Sequence, residues 1–324
     1  MKNVLVTGGA GFIGSHLVEH LVKKNYSVTV FDRYNSTNHW GWLENSKHKK
    51  DFKVILGDIR DYDSVNKALK GNDEVFHLAA LIGIPYSYIS PLAYLKTNVE
   101  GTYNVLESSK NHNIKNVIIT STSETYGSAQ QIPIDEKHSL NAQSPYAASK
   151  IAADQLALSY YRSFNQNVKI VRPFNTFGPR QSARAIIPTI ISQFLNEKKF
   201  IEIGNIKPTR DYTYVSDLCE AFFEISKNNS LTGEIVNVGG NFELSIKEIF
   251  EIIQSNFKIK KKLMIKKLRV RGNLSEVDRL NCDNKKIIEK TNWMPKTKFE
   301  DGIKKTISWM IKNKKYFKDN LYNI

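Results

Sequence analysis

The chain has 324 residues, 41% hydrophobic and 24% charged, which is length for about two domains and an ordinary balance for a globular enzyme. Its 17 glycines, 9 prolines and 2 cysteines exclude a collagen-like chain, low-complexity disorder and a disulfide scaffold, and Cys219 and Cys282 lack metal-ligand spacing. The net charge of +15 admits an acidic small molecule, a nucleic acid or merely a basic surface.

The opening residues Met1-Lys2-Asn3-Val4-Leu5-Val6 enter a strand pattern at once, so no signal peptide is expected. No apolar run reaches the ~18 residues of a membrane span, and a cytoplasmic protein with reduced thiols is expected. Short apolar strands are predicted at 3–7, 27–31, 53–56, 74–78, 116–120 and 168–172, and amphipathic helices at 12–24, 62–69, 91–111 and 145–164. That alternation predicts an α/β fold with a doubly wound parallel sheet covered on both faces. After about residue 178 the rhythm loosens, with helices predicted at 186–197, 215–227, 245–257, 284–290 and 299–313 and short strands between them. These suggest a smaller α+β C-terminal lobe. The expected division is 1–178, with 211–240 returning to it, and a lobe of 179–210 and 241–324.

Between the first strand and the first helix stands Thr7-Gly8-Gly9-Ala10-Gly11-Phe12-Ile13-Gly14. Glycines at i, i+3 and i+6 permit a tight turn, let the backbone approach a pyrophosphate and let the helix pack on the strand. The helix N-terminus then offers free N–H groups to the phosphates. Asp32, 18 residues past Gly14 at the end of the second strand, stands where a carboxylate accepts ribose hydroxyls and repels a 2′-phosphate. The reading is a Rossmann-type domain that binds NAD in preference to NADP, although the neighbouring Arg33 is a residue able to accept that phosphate. On the same helix, His16-Leu17-Val18-Glu19-His20 matches a zinc-protease pattern, but a helix committed to phosphate makes surface histidines the expectation and no metal site is predicted.

Further along, Ser121-Thr122-Ser123-Glu124-Thr125-Tyr126-Gly127 follows the fifth strand, at the edge where open α/β sheets bind ligands. Tyr146-Ala147-Ala148-Ser149-Lys150 puts a phenol and an ammonium one helical turn apart. A phenol is a poor base at neutral pH, and bringing its pKa there needs roughly 4 kcal/mol of differential stabilisation. Lys150 and a nicotinamide cation are the expected source. Residues 258–271 hold eight Lys or Arg, and 304–318 add more. No aromatic residue interrupts the 258–271 run, so a solvated face is expected there and no nucleic acid.

Several segments occur together in order: the Gly8/Gly11/Gly14 loop, Asp58-Ile59-Arg60, His77-Leu78-Ala79-Ala80, the 121–127 segment, Tyr146-x-x-x-Lys150, Arg172-Pro173-Phe174-Asn175-Thr176-Phe177-Gly178-Pro179 and Arg210-Asp211-Tyr212-Thr213-Tyr214-Val215. Their series resembles the extended short-chain dehydrogenase/reductase family acting on nucleotide sugars, across essentially the whole chain to Asn292-Trp293-Met294-Pro295. Within it the resemblance is to the 4,6-dehydratases. Trp40-Gly41-Trp42-Leu43, Ile84-Pro85-Tyr86-Ser87-Tyr88, Arg180-Gln181-Ser182-Ala183-Arg184 and Ser275-Glu276-Val277-Asp278-Arg279-Leu280 are similar to segments of the GDP-N-acetylglucosamine dehydratases of legionaminic acid biosynthesis.

The resemblance implies a role for each matching residue. Tyr146 would take the proton of the sugar C4 hydroxyl, Lys150 would lower the Tyr146 pKa and hold the nicotinamide ribose, and Thr122 would bond the C4 oxygen. Glu124 would remove the C5 proton, and Ser123 stands where many glucose-type enzymes carry an acidic Asp, so the acid for the leaving hydroxyl is either Glu124 itself or a Ser123 relay. NAD would lie on Gly8, Gly11, Phe12, Ile13, Gly14, Asp32, Asp58, Ile59, Leu78, Ala79, Ala80, Asn98 and Pro173 besides Tyr146 and Lys150. Tyr86 and Asn175, with Arg180, Arg184, Arg210 and Arg271 of the C-terminal lobe, would bind the nucleotide sugar. Helices 91–111 and 145–164 would pair in a homodimer as a four-helix bundle. A UDP-glucuronate-type decarboxylase, a 4-epimerase and a non-catalytic dinucleotide-binding regulator are the competing readings.

Overall fold

The computed structural model describes residues 1–196, 199–270 and 272–317. In chain order its first half runs β1 (Asn3–Thr7), α1 (Phe12–Lys23), β2 (Ser27–Arg33), β3 (Phe52–Gly57), α2 (Tyr62–Leu69), β4 (Glu74–His77), α3 (Ile84–Ile89), α4 (Pro91–Tyr94), α5 (Gly101–Asn111), β5 (Asn116–Thr120), α6 (Pro145–Phe164) and β6 (Val168–Pro173). The central strands are apolar on both faces, as in Val4, Leu5 and Val6 or Val117, Ile118 and Ile119, all wholly buried. Local signals set the helix ends. Asp61 accepts the amides of Asp63 and Ser64 at the start of α2, and Ser144 accepts that of Ala147 ahead of Pro145. Asn165, left-handed at φ +53°, closes α6.

The second half adds β7 (Asn175–Phe177), α7 (Ile186–Phe194), β8 (Phe200–Ile203), β9 (Thr209–Arg210), β10 (Tyr212–Tyr214), α8 (Val215–Lys227), β11 (Ile235–Val238), β12 (Leu244–Ser245), α9 (Ile246–Gln254), β13 (Lys262–Ile265), β14 (Arg279–Leu280), α10 (Lys285–Lys290) and α11 (Phe299–Lys312). Seven strands form one parallel sheet in the order β11-β6-β5-β4-β1-β2-β3. This is the doubly wound Rossmann arrangement, with its switch point between β1 and β4. Small sheets make up the rest: β7 with β10, β8 with β13, and β9 between β12 and β14.

Three expectations need correction. The helix expected over 91–111 is present and continuous but not regular, because Leu95–Glu100 form a π-helical turn between α4 and α5. That wider turn goes with a buried Asn98, whose side chain bonds outside the helix. The 258–271 run is not uniformly solvated. Lys261 is buried and donates to the carbonyls of Gln193 and Asn196 at 2.7 and 2.5 Å, capping the end of α7. Nor are His16 and His20 surface groups. His16 shares a 3.0 Å bond with the Pro179 carbonyl, and burial lowers its pKa to about 4. His20 is only 20% exposed and lies 3.3 Å from Glu220. Among the described residues no cluster of His, Cys, Asp and Glu could hold a metal ion.

Candidate active site

Because the seven strands are parallel, their C-terminal ends share one edge, and the segments that follow them line a single crevice. On one side is the glycine loop. Gly8 has φ +71°, and a Cβ there would sit 2.7 Å from the Ala79 amide nitrogen. A Cβ on Gly14 would collide with the Gly8 carbonyl. Gly11 differs: a Cβ there would meet only the Gly8 oxygen, at 3.3 Å, so its outer face is open. No side chain caps α1 and no acid stands in its first turn, where Phe12 and Ile13 are half-buried. The helix therefore keeps N–H donors free for an anion, and these residues fit a pyrophosphate.

Asp32 holds this loop in shape, accepting the Ala10 amide at 2.7 Å and its neighbour Arg33's at 2.8 Å. Burial pushes its carboxyl up against those two bonds. Asp58 is paired with Arg60, whose guanidinium keeps it below the usual carboxylate range, and the Ile59 carbonyl is held by Asn104. His77, wholly buried, lies 2.7 Å from the Thr7 hydroxyl and 3.1 Å from that of Thr102. Thr102 donates to Asn98 O and Thr7 accepts the amides of Leu78 and Ala79, which assigns the proton to His77 Nε2. Burial lowers the His77 pKa to about 3. Asn98 clamps Leu81 through both its N–H and its C=O and donates to Ser149 Oγ at 2.9 Å. The 78–81 segment is thereby tied to α6; Ala80 within it is half-buried, and across the crevice Pro173 ends β6.

Tyr146 and Lys150 lie on α6, both buried. Lys150 Nζ donates to the Thr120 carbonyl at 2.6 Å, and Tyr146 is hydrogen-bonded to Thr122. Thr122 accepts the Glu124 amide and so starts the short helical turn Ser123–Tyr126. Ser123 is buried there, whereas the Glu124 side chain keeps 14% exposure. Burial pushes the Tyr146 phenol well above its ordinary range, the Thr122 bond opposes this, and the Glu124 charge adds to it. Burial is the largest influence on the phenol, and desolvation also lowers the pKa of Lys150 itself.

Arg210 is 4.0 Å from Glu124 and 3.5 Å from Glu276, between two carboxylates at the mouth of the crevice. Asn175 opens β7 and pairs in register with Tyr212, two residues beyond Arg210. Tyr86 packs on Tyr94, which packs edge-on to Tyr146, with ring centroids 6.1 Å apart in each pair. The Arg184 guanidinium reaches the same corner, beside Gly83 and the Tyr94 hydroxyl. Arg180 goes elsewhere. Its φ of +71° turns it back onto α1, where it holds Glu19 at 2.9 Å. Arg271 lies outside the described residues.

Residues given no role from sequence complete the site. Asp154 and Arg172 form a buried pair at 2.7 Å behind the 121–127 turn, and Asp154 also accepts from Ser121. Its sequence signal is its place four residues past Lys150, on the same helix face. His77 stood inside a quoted motif, but its bonds join residues far apart in sequence. Glu276 likewise came with a segment quoted only for its resemblance.

The model of the GDP-mannose 4,6 dehydratase family matches residues 5–306. The chain is 34% identical over 316 residues to a putative UDP-glucose 4-epimerase of Methanocaldococcus jannaschii, covering 96% of this chain and 99% of that one. It is 32% identical to the human dTDP-D-glucose 4,6-dehydratase, covering 96% and 91%. The crystal structure of a dTDP-glucose 4,6-dehydratase from Streptomyces venezuelae, with NAD bound, superimposes with a TM-score of 0.87 at 28% identity, over 98% of this chain and 99% of that one.

Proposed function

The chain belongs to the GDP-mannose 4,6-dehydratase family, and from that premise we propose that it is an NAD-dependent nucleotide-sugar 4,6-dehydratase. The observation that carries the reading is Glu124, a carboxylate at the crevice mouth on the same short turn as Thr122, the partner of Tyr146. A 4-epimerase has no use for a carboxylate in that place. The relative named as a putative epimerase keeps epimerisation as the second reading.

NAD, when bound, supplies the reversible oxidant, and its positive ring adds the charge that the buried Tyr146 phenol needs in order to act as a base. The residues that fit it are the open Gly11 face, the uncapped start of α1 and Asp32. Tyr146 takes the proton of the C4 hydroxyl while Thr122 bonds the oxygen. The resulting ketone acidifies C5–H, and Glu124 removes that proton. With Ser123 buried, Glu124 is also the carboxyl placed to return the proton to the leaving C6 hydroxyl as water. Arg210 and Asn175 hold the substrate diphosphate, and Arg184 and Tyr86 border the sugar; the guanidinium fork suits phosphate oxygens.

The substrate best supported by the resembling segments is GDP-N-acetylglucosamine, on a route to legionaminic acid. A thermal-shift panel of GDP-, UDP- and dTDP-sugars tests the base, since a ligand at 100 times its Kd adds about 2.7 kcal/mol to apparent stability. The largest shift is expected with the GDP-sugar, and the product of that substrate should have lost one water. Loss of carbon dioxide from UDP-glucuronate included in the panel would instead indicate a decarboxylase, and an unchanged mass an epimerase. We further propose a cytoplasmic homodimer; among the described residues no helix is long and apolar enough to cross a membrane.

A further inference from the structure

We infer that the buried Asp154–Arg172 pair is a positioning device that holds Ser121, and through it the turn bearing Thr122 and Glu124, in register with Tyr146 and Lys150. This rests on the reading above, in which those residues meet the substrate.

Asp154 follows Lys150 by one helical turn on α6, and Arg172 is the penultimate residue of β6; both side chains are wholly buried. One oxygen of Asp154, Oδ2, accepts from Arg172 Nη2 at 2.7 Å and from Ser121 Oγ at 2.5 Å. Arg172 Nε also reaches Ser121 Oγ, at 3.3 Å. The guanidinium plane then lies 4.6 Å from the Tyr126 ring centroid, and the Tyr126 hydroxyl is fixed on Asn237 at 2.8 Å. The pair therefore grips the turn at both ends, Ser121 and Tyr126, with Glu124 between them. Lys150 holds the preceding carbonyl, that of Thr120.

Stability alone does not account for this arrangement. Asp154 Oδ1 and Arg172 Nη1 are buried without a hydrogen-bond partner. An ion pair that leaves such atoms unsatisfied is commonly matched or exceeded in stability by apolar residues of similar size. What an apolar pair cannot do is fix the Ser121 hydroxyl, and small misplacements of reacting groups are costly in rate.

The test replaces both charges in D154L/R172M, with S121A alone and added to it, assayed on whichever nucleotide sugar the wild type converts. Expected for the double variant are a melting temperature at or above wild type, KM within about twofold and kcat lowered about tenfold or more. S121A alone should lower kcat comparably, and adding it to the double variant should cost nothing further. Wild-type kcat in the folded double variant, or fully additive losses with S121A, would overturn the inference. Hydrogen exchange gives a readout that needs no turnover and so separates failure of this inference from failure of the functional reading. Amides of 121–127 should exchange at least about tenfold faster in the double variant while α6 stays protected; unchanged exchange overturns the proposal. Should the double variant not fold, R172K keeps the charge but loses the Nε bond and the plane over Tyr126. A lower kcat at wild-type melting temperature is then expected, and wild-type kcat contradicts it.

Discussion

Glu124 and Tyr146 share a crevice but meet different physics. Glu124 keeps some exposure and faces Arg210. The Tyr146 phenol is buried, and burial holds its pKa well above the ordinary range. Glu124→Gln should therefore leave the fold and NAD binding intact and slow turnover by about 10²-fold or more, measured as product formed at saturating substrate. Near-normal turnover would remove Glu124 from the reaction. His77 sets a separate expectation. Its pKa falls from 6.5 to about 3 on folding, so below 6.5 the unfolded chain takes up a proton that the folded chain refuses. Stability is then fully present above 6.5 and is lost as pH falls toward 3. By pH 5 the loss due to His77 is about 2 kcal/mol. His16 shifts the same way, so the His77 share is the difference between wild type and His77→Gln in the slope of melting temperature from pH 7 to 5. Equal slopes would contradict it.

At the scale of elements, the strands of the large sheet and the long helices were legible because burial on both faces and helical periodicity are written locally. The ranges Asn3–Thr7, Asn116–Thr120, Pro145–Phe164 and Val215–Lys227 are found as expected. What escaped depends on distant partners. The π turn at Leu95–Glu100 goes with Asn98 bonding Leu81 and Ser149, and α3 follows Gly83 at φ +104°, neither of which has a periodic signature. In the site, the glycine loop proposed for phosphate and the Tyr–Lys pair were visible because each has a fixed local spacing. The Asp154–Arg172–Ser121 contact joins α6, β6 and the end of β5, so it exists only once the sheet is formed. The helices proposed to form the dimer carry exposed apolar residues, Leu92 at 61%, Leu95 at 47%, Tyr103 at 44% and Phe164 at 53%. L92E/L95E should sediment as a monomer at micromolar concentration where the wild type is a dimer; a monomeric wild type would refute the bundle.

For the whole molecule, the excess of cations is partly structural and, in the proposed function, partly aimed at an anion. Lys261 caps a helix, Arg180 secures α1 and Arg172 is buried, while Arg210 and Arg184 stand at the crevice. The sheet supplies one edge for the cofactor, and β9, next to β12 and β14 of the smaller part, brings Arg210 to it. In the proposed reaction Tyr146 and Glu124 work in succession on one hexose, at C4 and then at C5. It is tested most directly by turning over GDP-N-acetylglucosamine with NAD in deuterium oxide and analysing the product by mass spectrometry and NMR. The expected product is a 4-keto-6-deoxy sugar that has lost one water and carries solvent deuterium at C5. A product of unchanged composition, inverted at C4 and without deuterium at C5, would contradict it.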